Sequence, residues 1–151
     1  MSQTQPNIPA PQPDTSAPLT SLEDLVGFND DLGLHLTEWS DGAAKMELDL
    51  VPRLLNRSGI VHGGLLMTVL DATCGFTGVW RPEGEPKCRA LSLSISTNFI
   101  GQTKAGRVTC LATRTGGGRR IFFARGEVFS DDGTLLATGE GTFRIRDEKP
   151  E

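Results

Sequence analysis

Asn56-Arg-Ser-Gly-Ile-Val-His62-Gly63-Gly64 runs directly into Leu65-Leu-Met-Thr-Val-Leu-Asp71-Ala-Thr-Cys-Gly75, and the rest of the architecture follows from what this stretch requires. The segment is long and oily enough for a helix over 63–79, opened by glycines after a histidine. Leu65, Leu66, Met67, Val69, Leu70, Ala72 and Cys74 leave almost no polar face, so the helix must be wrapped by other elements. One carboxylate, Asp71, stands among these residues. An ionised group there is costly to bury unless it is paired or used.

The flanking sequence supplies the wrapping. Leu34–Trp39 and Ala44–Leu50 alternate about an Asp41-Gly42 hairpin signal, and Pro52 ends the second run. Residues 51–61 form a loop, and Gly84 and Pro86 mark another. Beyond them Ala90–Phe99 alternates, with Leu91, Leu93, Ile95, Thr97 and Phe99 expected on one face. Arg107–Thr115, Arg119–Ser130 and Thr134–Ile145 follow, joined by turns at Gly116–Gly118 and Asp131–Gly133. Strands joined by short turns pair antiparallel. The expected class is therefore α+β, a curved antiparallel sheet around one long central helix. A short helix is expected to begin at Ser21, with Leu22, Leu25 and Val26 on one face. Residues 1–18, rich in Pro, Gln, Ser and Thr, are expected to be a disordered tail before a single domain over 19–147.

Composition narrows the function classes. The chain has 151 residues, a formal net charge of -4 and a hydrophobic fraction of 37%. No long basic run exists to neutralise a nucleic-acid backbone. No apolar run approaches the roughly 20 residues that span a bilayer, and the N-terminus has no signal-peptide pattern. The expectation is a cytoplasmic protein with neither nucleic acid nor membrane as partner. Cys74, Cys88 and Cys110 have no metal-ligand spacing, so free thiols and no metal are expected. A GxSxG elbow and a phosphate-binding P-loop are both absent.

Chemistry concentrates at the helix. Its first backbone N–H groups lack intrahelical acceptors and sit at the positive end of the dipole. Gly63 and Gly64 would let a substrate approach them, as in an oxyanion hole. Asp71 would act as general base or nucleophile. Gly64 and Asp71 are roughly 10 Å apart along the axis at 1.5 Å per residue. One carbonyl cannot reach both within a single helix. If both serve one reaction, the helix of a second copy must lie antiparallel alongside, which predicts a homodimer with two composite sites. Asn56 could hold a carbonyl or water, and His62 could polarise the carbonyl or fix the loop. A glycine turn used only for packing, and an Asp71 satisfied by Thr68 or by backbone groups, are the structural alternatives.

The pattern Asn56, His62-Gly63-Gly64, Asp71, continued into Ser92-Leu-Ser-Ile-Ser-Thr-Asn98-Phe99, resembles the hotdog-fold thioesterases, in particular the PaaI-type and 4-hydroxybenzoyl-CoA thioesterase branch. The resemblance covers roughly residues 20–146. It implies hydrolysis of an acyl-CoA thioester, with no cofactor because CoA is part of the substrate, and dimers that pair into tetramers. It assigns Asp71 as base or nucleophile, the partner's Gly63 or Gly64 amide with His62 as carbonyl polariser, Asn56 as a positioning group and Ser92 as a water-holding hydroxyl. Lys104, Arg107, Arg119 and Arg120 flank turns and are candidates for CoA phosphate contacts. Phe76, Val79, Trp80 and Leu55 are candidates for the acyl pocket. Two other readings use the same scaffold. One is an enoyl-CoA hydratase, for which Asp30 and His35 have only the bare spacing. The other is a non-catalytic acyl-CoA-binding module, which would not need Asp71.

Overall fold

The computed structural model describes residues 18–148; the expected tail over 1–18 lies outside them except for Pro18. The elements are α1 (Phe28–Leu32), β1 (His35–Ser40), β2 (Ala43–Asp49), α2 (Gly63–Phe76), β3 (Cys88–Phe99), β4 (Arg107–Gly117), β5 (Ile121–Phe129) and β6 (Leu135–Asp147). A single 3-10 turn, Pro52–Leu54, lies in the loop before α2. The strands make one six-stranded sheet in the order β1-β2-β4-β5-β6-β3, every neighbouring pair antiparallel. This is the hotdog architecture: one curved sheet folded about one long helix.

The alternation read from sequence places the core. Met46 and Leu48 of β2, Val108 and Cys110 of β4, Phe122 and Val128 of β5, and Leu136 and Phe143 of β6 are all fully buried against the helix. From α2 come Leu66, Val69, Leu70 and Cys74. Glycine decides how closely the helix can sit. A Cβ at Gly126 or Gly139 would lie 3.0 or 3.1 Å from a methyl of Leu70, so both strands leave their inner face open beneath that side chain. Burying one such leucine contributes about 1.5–3 kcal/mol. At the far end Phe122 and Phe143 stack with centroids 5.2 Å apart. A Cβ at Gly78 would stand 2.4 Å from the Phe122 ring. Gly78→Ala is therefore expected to destabilise the fold by about 1–3 kcal/mol through overpacking, read as a lower denaturant midpoint at unchanged slope.

Three expectations are corrected. Ser21 does not start a helix. Its hydroxyl donates to Glu23 O at 2.6 Å and accepts from Leu36 N–H at 3.1 Å, while Leu22 N–H donates to Leu36 O, so this segment is tied to β1. The short helix comes later, at Phe28–Leu32, closed by Gly33 in the left-handed region at φ 78°. The sheet covers α2 along one side only. Met67 is 37% exposed, and Thr68, Asp71 and Ala72 are half-buried, so one helical stripe stays open. The third correction is in β3. Its pairing with β6 steps from Ser92↔Phe143 to Ser94↔Thr142, a bulge at Leu93 that switches the faces. Ile95 packs on the core as expected, but Leu91 and Leu93 are exposed and Ser92 turns toward the helix.

Candidate functional site

The loop before α2 is built by Asn56. Its side-chain oxygen accepts N–H groups from Ser58 at 2.9 Å and Ile60 at 3.3 Å, and its own N–H donates to Ile60 O. Leu55 bridges to Val61, Val61 N–H donates to Thr103 O, and His62 N–H donates to Leu54 O. Asn56 thus spends its carbonyl on folding the loop that delivers His62 to the helix start.

His62 is the N-cap, with extended backbone (φ -70°, ψ 131°). Its Nδ1 accepts the Gly64 N–H at 2.9 Å, and its carbonyl accepts from Leu65 and Leu66. An accepting Nδ1 places the proton of the neutral ring on Nε2. Among the described residues, the Gly63 N–H has no acceptor. The helix therefore presents one open backbone donor at its first residue rather than two, and it does so at the positive end of the dipole. The Phe99 ring flanks it, since a Cβ at Gly63 would lie 3.3 Å from that ring.

Asp71 stands on the open stripe of α2, half-buried. Ser92 Oγ donates to its Oδ1 at 2.5 Å, and Oδ2 has no hydrogen-bond partner among the described residues. Thr68 is not the partner; its hydroxyl donates to Gly64 O at 2.9 Å within the helix. One oxygen is anchored and the other is open, which suits a group that must take a proton or attack from a fixed position. Ser92 reaches this place only because of the β3 bulge. The neighbouring thiols are unsuited as nucleophiles. Burial pushes Cys110 up to about 12 and Cys74 upward as well, the latter helped by Cys110 and Asp71.

The basic candidates separate. Lys104 is exposed beside Thr103, near the helix start. Arg107 is turned inward, 5% exposed, and its guanidinium bonds Asp49 through Nε at 2.7 Å and Nη2 at 3.2 Å. Arg119 and Arg120 are exposed between β4 and β5. Among the acyl-pocket candidates, Val79 is buried and Phe76 packs edge-on to Trp39 at 5.2 Å. Asp30 is exposed on α1 and His35 lies on β1, at the opposite edge of the sheet from β3. Among the described residues no group of three or more His, Cys, Asp or Glu is placed to hold a metal ion, and no helix is long and apolar enough to cross a membrane.

Known proteins share this fold. A sequence model of the thioesterase superfamily matches residues 58–137, slightly more than half of the chain and the part that carries His62, Gly63, Asp71 and Ser92. Rv1847 of Mycobacterium tuberculosis, which its name assigns provisionally to the esterases, is 26% identical over 141 residues, covering 93% of this chain and 99% of that one. Its solved structure superposes with a TM-score of 0.74 at 25% identity, over 83% of this chain and 100% of that one. A variant of the phenylacetic acid degradation protein PaaI from Thermus thermophilus superposes with a TM-score of 0.66 at 28% identity, over 78% and 96%. The thioesterase HI1161 of Haemophilus influenzae, at 19% identity and a TM-score of 0.70 over 79% and 82%, shares the fold.

Proposed function

This chain belongs to the thioesterase superfamily and is a thioester hydrolase, and on that premise we propose that it hydrolyses an acyl-CoA to the free acid and CoA at two sites shared between the subunits of a homodimer. The observation that carries this reading is the Asp71 carboxylate, held through Oδ1 by Ser92 and open at Oδ2. Water attacks the thioester carbonyl as Oδ2 takes its proton, or Oδ2 itself attacks and water then cleaves the anhydride. The oxyanion that forms is met by the Gly63 N–H of the other subunit, with His62 holding the helix start in shape. The thiolate of CoA leaves and is protonated. Asn56 orders the loop, and Ser92 orients the acid.

The open β3 edge supports the dimer. β3 is a 12-residue edge strand with Leu91 44% and Leu93 52% exposed, and an edge of that length invites pairing. Antiparallel pairing of two β3 strands continues the sheet and lays the open stripes of two α2 helices side by side in opposite directions. That juxtaposition brings Gly63 of one subunit toward Asp71 of the other. Two such dimers form the tetramer, working on acyl-CoA in the cytoplasm.

The test is thiol release from a panel of aromatic, branched and medium-chain acyl-CoAs, with light scattering on the same sample. The expected result is turnover of at least one ester by a particle of two or four times 16.2 kDa. A monomer that is fully active would overturn the shared site. Ser92→Ala is expected to lower kcat about tenfold with little change in KM, since it frees the carboxylate to rotate away without removing it.

A further inference from the structure

Where the β4–β5 turn, the end of β6 and the segment after α2 meet, the sheet rim forms a half-open cavity of about 960 Å³. Six arginines line it: Arg81, Arg114, Arg119, Arg120, Arg144 and Arg146. One carboxylate, Asp147, stands among them. The chain as a whole is acidic, 19 Asp and Glu against 15 Lys and Arg. Elsewhere four cations find acids, Lys45 with Glu38 and Glu47, Lys87 with Glu23, Arg89 with Glu148 and Arg107 with Asp49, while Arg53, Arg57, Lys104 and Arg125 stand apart from one another in the sequence rather than in a cluster. Among the described residues none of the six rim arginines has a carboxylate within ion-pair distance.

Two of the six are fixed in advance. Arg114 donates through Nη2 to Gly118 O at 2.9 Å and lies over the Phe122 ring at 5.4 Å, and Arg81 donates to Trp80 O at 2.7 Å. The other four are exposed. Like charges gathered without counter-ions repel one another, and an anionic occupant would relieve that repulsion. Guanidinium forks match phosphate oxygens in pairs. A cavity of this size admits more than one phosphate.

Its position identifies the source. Phe143 of β6 pairs with Ser92, the residue that holds Asp71, and Arg144 and Arg146 follow one and three residues later. By strand and helix rise the rim lies within about 10–20 Å of Asp71. The pantetheine arm of CoA separates its sulfur from its phosphates by a distance of that order. We infer that the arginine-lined rim cavity binds the 3′-phosphate and diphosphate of the CoA portion of the substrate, at the end of the subunit that supplies Asp71. This rests on the acyl-CoA reading and deepens it.

The probe is adenosine 3′,5′-bisphosphate, titrated calorimetrically into the intact protein, alongside KM for an acyl-CoA and for the pantetheine thioester of the same acid. Binding of the bisphosphate is expected to weaken about tenfold or more in Arg119→Ala/Arg120→Ala and in Arg144→Gln/Arg146→Gln. The preference of KM for the acyl-CoA over the pantetheine thioester should fall by a similar factor. Arg53→Gln, an exposed cation in the loop before α2 and so at the other end of that helix from the rim, should leave bisphosphate binding as it is. Unchanged bisphosphate binding in both arginine pairs would overturn the inference while leaving acyl-CoA hydrolysis standing. Bisphosphate that binds at the arginines without competing with acyl-CoA would overturn it too, marking a site for free nucleotide. Arginine-dependent binding that competes with acyl-CoA, in a protein that binds acyl-CoA without releasing thiol from it, would support the cavity and sink the acyl-CoA hydrolysis reading alone.

Discussion

Asp71→Asn is expected to lower kcat for thioester hydrolysis by about 100-fold or more, with KM little changed. The substitution preserves shape. An amide oxygen at Oδ1 still accepts the Ser92 hydroxyl, and the side chain sits on the half-buried open stripe of α2, where no cation is paired with it among the described residues. What disappears is the capacity of Oδ2 to take a proton or form an acyl bond. Because uniform binding of substrate is left alone, the loss falls on the chemical step. A thermal unfolding scan of the same variant should show a melting temperature close to that of the wild type, which separates lost chemistry from lost fold. Full activity in this variant would remove the acid from the mechanism. A single turnover in labelled water then separates its two roles. Label carried into the Asp71 carboxylate marks a nucleophile whose anhydride opens at the aspartyl carbonyl; where label is confined to the released acid, trapping of an acyl-enzyme with hydroxylamine marks a nucleophile and its absence marks a base.

The fold was legible because two periods dominate the chain. Alternation at Ala44, Met46 and Leu48, and again from Arg107 to Ile145, reports strands with one wet face. A nearly unbroken apolar run after His62 reports a helix with little of one. The misreadings have local causes. Ser21 with acids behind it has the composition of a helix start, yet its hydroxyl is captured by the β1 backbone, and that partner is invisible along the chain. In β3, Leu91 and Leu93 continue the period of Ile95, and no residue type announces the extra residue that shifts the phase. That bulge is what carries Ser92 to Asp71, so a serine the alternation assigned to the wet face proves to face the acid. The helix start was legible as a donor site but not in its division of labour. Which glycine N–H stays open depends on the His62 ring rotamer, a choice made in three dimensions. The arginine rim was half legible. Arg119-Arg120 are adjacent, whereas Arg144 and Arg146 share a face only once they are placed on a strand, and Arg81 and Arg114 join them only through the fold.

That division at the helix start sets up the second large effect. Gly63→Pro is expected to lower kcat by about 100- to 1,000-fold, the usual cost of removing one oxyanion donor, while leaving the helix intact. Proline is ordinarily a destructive probe of a donor, because it also breaks the structure that held the donor. Here the position is the first residue of α2, where the N–H has no intrahelical duty and a fixed φ is compatible with the helix. The preceding residue, His62, already has the extended backbone that proline demands of its neighbour, at φ -70° and ψ 131°. Its ring still caps Gly64, so that bond survives. The new Cβ would meet the Phe99 ring at 3.3 Å, and Phe99 is 55% exposed with room to shift, while the Cδ of proline takes the place of the N–H hydrogen. Gly63→Ala controls for that contact, since it adds the same Cβ and keeps the N–H; it should retain most of the activity that proline abolishes. If proline and alanine slow the enzyme equally, the loss is steric and the Gly63 amide holds no oxyanion. If the proline variant also dissociates to a monomer on light scattering, the helix start serves the interface first. The claim of a donor crossing that interface would then need the Gly64 amide, which His62 at present occupies.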